Sequence, residues 1–138
     1  VVAAVPFTGD EVILDPQTVV PGEGTLTLHL DIPEGYKINE LATSTVTWRS
    51  ESAVVGIDAE LATQEITDAA RSITVPVMLA EGDADLAAEL MVFYCEAVNE
   101  SLCFVEMAKI ILPVRVRAGG AGHELGITYT IVPPVAGQ

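Results

Sequence analysis

The sequence has few basic residues, and this shortage excludes two classes of partner. Only six of its 138 residues are Lys or Arg, against twenty Asp and Glu, which gives a formal net charge of −14. Such a charge repels the phosphates of nucleic acids and of anionic lipids, so we expect neither as a partner. No uninterrupted apolar run approaches the roughly 18 residues that a membrane-spanning helix needs, so we also expect no membrane insertion.

Residue types that enzymes use for catalysis are also scarce. His29 and His123 are the only histidines, and no neighbouring serine or cysteine resembles a nucleophile paired with a base. The carboxylates of Glu81, Asp83 and Asp85 alternate as in a calcium loop, but the further ligands of an EF-hand are missing, which favours a solvated turn. No glycine-rich phosphate loop occurs. We therefore predict no acid–base catalytic residues, no metal and no cofactor.

The length predicts one domain over residues 1–138. A chain of this size buries about two thirds of the surface that its unfolded form exposes, which is enough for a core. The sequence begins at Val1, with no initiator methionine and no basic leader. We therefore expect the domain to come from a larger, multidomain protein.

Apolar residues are abundant, at 50% of the sequence, and they alternate with polar residues as strands do. Residues 25–32 show this best, with Leu26, Leu28 and Leu30 on one face. Residues 72–79 repeat the pattern, but Pro76 lacks an amide hydrogen and indicates an edge strand or a bulge. Further predicted strands span residues 11–15, 36–39, 44–49 and 124–132.

The most informative stretch is residues 86–117, in which two alternating runs flank a polar segment, residues 96–102, bounded by Cys95 and Cys103. We predict a long β-hairpin with one cysteine on each arm. Seven or eight short strands separated by turns predict an all-β fold, an antiparallel immunoglobulin-like β-sandwich. Trp48 is expected in its core rather than stacked on a ligand. The predicted core comprises Leu26, Leu28, Leu30, Ile73, Val75, Val77, Leu90, Val92, Leu112 and Val114.

Several segments resemble the C-terminal β-domain of NHL-repeat proteins. They are LHLDIPEGYKIN at residues 28–39, FYC at residues 93–95, Cys103, and IILPV at residues 110–114. In that family the domain follows a thioredoxin-like domain and an NHL β-propeller. The resemblance implies a non-catalytic accessory domain whose partners are these neighbouring domains of the same polypeptide.

A more remote resemblance is to the immunoglobulin-like periplasmic domain of the bacterial transmembrane thiol-disulfide interchange protein. The shared features are a tyrosine-cysteine step, a short loop, a second cysteine and a downstream proline. In that family the cysteine pair transfers electrons, which implies a redox pair at Cys95 and Cys103. The loop is longer here, and Phe104-Val105-Glu106 replaces the family's tyrosine-proline step.

The cysteine pair thus has three interpretations: a structural disulfide, two free thiols, or a redox centre. A structural bridge would contribute about 2.5 kcal/mol in the chain-entropy model. Facing cysteines on antiparallel strands have Cβ atoms about 4.5–5.5 Å apart, wider than the ~3.8 Å of a relaxed disulfide, which favours a reducible bond.

The charges near the pair in sequence argue against redox exchange. Glu96, Glu100 and Glu106 are close, and Lys109 is the nearest base, so we expect raised thiol pKa values and little thiolate. We therefore favour a structural or packing role, with the thiol-disulfide relay as the alternative. A bridged pair would favour an extracytoplasmic compartment.

Overall fold

The computed structural model describes residues 10–50, 52–98 and 102–133, which form eleven strands and one short 3-10 helix. The strands are β1 Asp10–Ile13, β2 Gln17–Val19, β3 Gly22–Asp31, β4 Tyr36–Ile38, β5 Ser44–Ser50, β6 Val55–Gly56, β7 Thr63–Ile66, β8 Ser72–Leu79, β9 Gly82–Glu96, β10 Cys103–Val116 and β11 Glu124–Thr130. The 3-10 helix spans Ala59–Leu61, and Asp58 caps it by accepting the N–H of Glu60.

The strands form two mixed sheets. The larger has the order β1-β10-β9-β5-β7, with β2 also beside β10 and β4 also beside β9. The smaller has the order β11-β3-β8-β6. Strands β1 and β2 run parallel to β10, and β11 runs parallel to β3, whereas the remaining pairings are antiparallel.

The predicted all-β class is confirmed, but a wholly antiparallel arrangement of seven or eight strands is not. The first predicted strand, residues 11–15, corresponds to β1, and β2 follows it beyond Pro16 as a further strand that was not predicted. Both add to β10 in the parallel direction. Strands β2, β6 and β7 have two to four residues, too few for alternation to be recognised in the sequence.

The inward faces of both sheets contribute to one hydrophobic cluster. Nine of the ten predicted core residues are buried, and Ile73 is half-buried. Trp48 is buried as predicted, with 3% of its surface exposed. The alternation of apolar and polar residues predicted the core correctly because each long strand packs one of its two faces against the core.

Pro76 lies where the sequence placed it, on a strand with a free side. β8 pairs with β3 along its length, but β6 covers it only at Met78 and Leu79. Within the described residues no strand lies beside Pro76 on that side, so its missing amide hydrogen leaves no broken ladder.

The side chain of Gln17 links the two sheets at one edge. Its Nε2 donates to the carbonyl of Gly126 at 2.7 Å, and its Oε1 accepts the N–H of Gly126 at 3.2 Å. Gln17 belongs to β2 of the larger sheet, whereas Gly126 belongs to β11 of the smaller. The side-chain amide of Gln17 thus makes the two hydrogen bonds to β11 that the backbone of a neighbouring strand would make.

Candidate functional site

The predicted hairpin of β9 and β10 is confirmed, and Cys95 lies directly opposite Cys103 in its register. The two are joined by a disulfide with Cα atoms 4.0 Å apart. The N–H of Glu96 donates to the carbonyl of Leu102 at 3.0 Å, so the cysteines occupy the adjacent non-hydrogen-bonded position. Such pairs bring their Cα atoms closest, at about 4.5 Å, which suits a bridge between strands. The structure thus contains the pair as a disulfide rather than as two free thiols.

The two sulfur-bearing residues differ in exposure. Cys95 is 3% exposed, whereas Cys103 is an exposed residue at the start of β10. Disulfide exchange requires a thiolate to reach one sulfur, and the sulfur that it reaches determines which cysteine leaves. Access is therefore greater at Cys103, and Cys95 is the leaving group of any exchange.

A lysine lies beside the buried cysteine. β4 pairs with β9 so that Lys37 is opposite Cys95, which places both side chains on the outer face of the larger sheet. Gly35, with φ of +95°, forms the turn before β4, and its carbonyl accepts the N–H of Ala97 at 2.8 Å. Strand pairing thus places a cationic side chain beside the buried cysteine.

The sequence predicted that glutamates surround the cysteine pair, but Glu96 and Glu106 lie on the other face of the sheet. Glu96 follows Cys95 and Glu106 is three residues after Cys103, so alternation directs both away from the outer face. Glu106 accepts a hydrogen bond from the hydroxyl of Tyr129, and Glu100 lies outside the described residues. Lys109 is the nearest base in sequence, but strand pairing places Lys37 directly opposite Cys95.

Asp68 holds β4 in place. Its Oδ1 accepts the backbone N–H of Ile38 at 3.0 Å and forms a salt bridge with Arg71 at 2.5 Å. The hydrogen bond from Arg71 lowers the pKa of Asp68, and the Ile38 amide and the charges of Arg71 and Lys37 lower it further, although desolvation opposes them. Asp68, Lys37 and Cys95 all line one cleft of about 510 Å³.

Three aromatic rings support this end of the hairpin from the inner face. The rings of Tyr94 and Phe104 have centroids 5.4 Å apart, and Tyr36 contacts them at 5.8 Å and 6.4 Å. Burial raises the pKa of the Tyr94 hydroxyl, and the charges of Glu106 and Tyr36 add to the effect. The cluster fixes β4 against β9 and β10, so Lys37 is held beside Cys95.

The outer face near the disulfide is apolar, and we call its four central residues, Met91, Phe93, Val105 and Met107, the hairpin face. Phe93 faces Val105 and Met91 faces Met107 across the two strands. Val105 is 50% exposed and Met91 37% exposed. Contiguous exposed apolar surface on an acidic protein indicates a contact site.

Other residues considered from sequence have structural partners. Asp83 forms a salt bridge with Arg117 at 2.6 Å and lies in β9 rather than in a turn. The structure brings His29 and Ser72 together, with Nδ1 and Oγ 2.7 Å apart, on exposed positions of β3 and β8. This contact was not apparent from sequence because the two residues are 43 positions apart. No third group accompanies them among the hydrogen bonds of the described residues, so the pair is a cross-strand contact.

Residues 10–50, 52–98 and 102–133 contain no group of three or more His, Cys, Asp or Glu side chains able to hold a metal ion. The same residues include no helix long and apolar enough to cross a membrane. Comparison with known proteins gives no family to which the chain can be assigned: no protein-family model and no curated protein matches it.

Proposed function

We propose that the chain is an immunoglobulin-like β-sandwich that acts as a non-catalytic accessory domain of an NHL-repeat, thioredoxin-like multidomain protein. The observation that supports it is the hairpin face, which offers a partner a flat apolar surface of cross-strand pairs. The occupant we propose is the neighbouring thioredoxin-like domain, with the β-propeller as a further contact. The disulfide beside this face favours an extracytoplasmic compartment, where such bonds persist.

Hydrogen–deuterium exchange tests the docking. The 138-residue chain is compared with a longer form that includes the residues encoded on either side of it. We expect slower exchange around Met91 and Val105 in the longer form, since a docked domain shields these strands from solvent. Equal exchange at the hairpin face in both forms would contradict the proposal, as would turnover of a small substrate by the chain alone.

Two matched lysine substitutions locate the contact. Val105→Lys places a charge in the centre of the hairpin face, and Met78→Lys places one at a residue that is 56% exposed on β8 of the other sheet. We expect Val105→Lys to abolish the added protection and Met78→Lys to preserve it. Both substitutions should change the stability of the chain by less than about 0.5 kcal/mol, because exposed positions tolerate charge.

A thiol-disulfide relay is the second candidate, and the unequal exposure of the two cysteines favours it. In this reaction a partner's thiolate attacks Sγ of Cys103, the bond to Cys95 breaks, and Cys95 leaves as a thiolate beside Lys37. A second thiol of the partner then attacks the mixed disulfide, so that the partner is oxidised and the chain gains two thiols. Both released sulfurs take up the protons lost by the partner.

Trapping separates the two candidates. If the relay operates, Cys95→Ser retains the exposed Cys103 and should form a stable mixed disulfide, whereas Cys103→Ser retains only the buried Cys95 and should form none. The reduction potential should then lie near or above about −270 mV. For a purely structural bridge we expect a potential below about −300 mV and no mixed disulfide with either variant.

A further inference from the structure

All three methionines of the chain lie outside its hydrophobic core. They are Met78, Met91 and Met107, and none belongs to the cluster of buried and half-buried apolar residues that forms the core. Methionine is a common filler of cores, because its flexible thioether chain adapts to irregular gaps. Here Met78 is 56% exposed, Met91 is 37% exposed and Met107 is half-buried. Their sulfur atoms are therefore accessible to oxidants that a core would exclude.

Met91 and Met107 are direct neighbours on the hairpin face. They lie opposite each other in the register of β9 and β10. The hydrogen bond from the N–H of Glu96 to the carbonyl of Leu102 fixes the phase of this ladder, so the Met91–Met107 position is a non-hydrogen-bonded one. Side chains of facing residues are closest at such positions, which places the two thioethers side by side.

An oxidant can reach both residues when no partner covers the face. Met91 is exposed on the outer face of the sheet. Met107 lies near an open edge, because β1 runs beside β10 only from Ala108 onward. Within the described residues no strand covers residues 103–107 on that side. Hydrogen peroxide therefore has a path to Met107 from the edge as well as from the face.

We propose that Met91 and Met107 make the hairpin face an oxidation-sensitive contact, which releases the docked domain when hydrogen peroxide converts the two thioethers to sulfoxides. The proposal rests on the docking function proposed above. In each conversion a sulfur lone pair attacks one peroxide oxygen, so that an S–O bond forms and the O–O bond breaks. The second oxygen leaves as hydroxide and takes the proton of the transferred oxygen, giving water. The sulfur is oxidised by two electrons and the peroxide is reduced.

A sulfoxide is unsuited to an apolar contact. It replaces a weakly polar thioether by a strongly polar S=O group, which must lose water when a partner covers it. Met91 and Met107 would carry two such groups side by side on the hairpin face, and the centre of an interface is its most apolar part. In the undocked chain the same oxygens stay in water. Oxidation should therefore weaken docking without unfolding the domain.

Peroxide treatment of the longer form, followed by hydrogen–deuterium exchange, tests the proposal. No reductant is added, so the disulfide stays closed, and mass spectrometry of peptides reports the oxygen gained by each methionine. We expect protection around Val105 to fall about tenfold, equivalent to ~1.4 kcal/mol, once Met91 and Met107 are oxidised. The urea midpoint of the 138-residue chain should change little, because neither methionine is in the core. Full protection after both are oxidised, or their failure to oxidise in the longer form, would overturn the proposal.

Leucine substitutions distinguish these two sulfur atoms from all others. The double variant Met91→Leu, Met107→Leu nearly conserves side-chain volume and cannot form a sulfoxide, so it should dock and keep its protection in peroxide. Met78→Leu removes the methionine of the other sheet and should lose protection as the unsubstituted protein does. Equal loss in both variants would place the sensitive group elsewhere and refute the site.

A polar substitution reproduces the effect without an oxidant. Met107→Gln places a polar side chain of similar length on the hairpin face and should lower protection, whereas Met107→Leu should not. Unchanged protection in Met107→Gln would contradict the proposal. Absence of protection in the untreated longer form would refute docking itself and this inference with it, whereas protection that survives oxidation would overturn only the sensitivity to peroxide.

Discussion

The two ends of the β9–β10 hairpin consist of the same strands but have different neighbours. At the disulfide end, β4 lies beside β9 as far as Glu96, and Asp68 and the aromatic cluster anchor it. At the other end, β7 stops before β5 does, and the indole N–H of Trp48 has no partner among the described residues. The disulfide end thus has a neighbouring strand with its own anchoring side chains, which the other end lacks, although in the described part of the chain each end leaves one buried nitrogen without a partner, Arg71 Nε and Trp48 Nε1.

Both ends of the hairpin depend on the same hydrophobic core. We therefore expect the largest loss of unfolding free energy from a substitution in that core. Leu28 is fully buried, so Leu28→Ala should lower the free energy of unfolding by about 2–5 kcal/mol through lost contacts and a cavity. Urea denaturation measures the change. Met78→Ala on the exposed side of β8 is the control and should cost far less, and a loss under half a kcal/mol for Leu28→Ala would contradict its placement.

Reducing the disulfide should weaken only one end. The bridge closes a loop with a sequence separation of 8, for which the chain-entropy model gives about 2.5 kcal/mol. We expect this loss of unfolding free energy in reductant, and the same loss in the Cys95→Ala, Cys103→Ala double variant without reductant. Fluorescence of Trp48 in the folded state should stay unchanged, and a large change would show that the two ends are coupled.

The smallest effect should come from the charge that anchors β4. Asp68→Asn retains an oxygen for the N–H of Ile38 but removes the charge facing Arg71. Since its side chain is 39% exposed, we expect a loss below about 1 kcal/mol at neutral pH.

The stabilisation by Asp68 should depend on pH, because it requires the ionised carboxylate. Because the folded state lowers the pKa of Asp68, its stabilisation is complete above the ordinary value of 3.8 and disappears as the pH falls through the folded-state pKa. The gap between wild type and Asp68→Asn should therefore be present at pH 7 and vanish in strong acid. Asp15→Asn, at an exposed position, is the control and should give no gap at either pH.

Local patterns in the sequence predicted the long strands but not their less regular partners. Leu26, Leu28 and Val92 could be assigned to the core because only one face of a long alternating strand is apolar enough to be buried. The parallel addition of β1 and β2 to β10 was not predictable, since it depends on where the chain returns in space. The position of Lys37 beside Cys95 was missed for the same reason. Alternation in residues 36–39 could show only that the side chain of Lys37 lies on the other face of the strand from Tyr36 and Ile38.

The amide of Gln17 also affects how the chain meets other copies of itself. β11 is the last strand of its sheet, and an exposed outer strand can pair with the same strand of a second molecule. The two hydrogen bonds between Gln17 and Gly126 occupy the outward N–H and C=O of Gly126 near the middle of that strand. A strand interrupted there offers no continuous ladder, so this one side chain opposes pairing of β11 with a second copy along this edge.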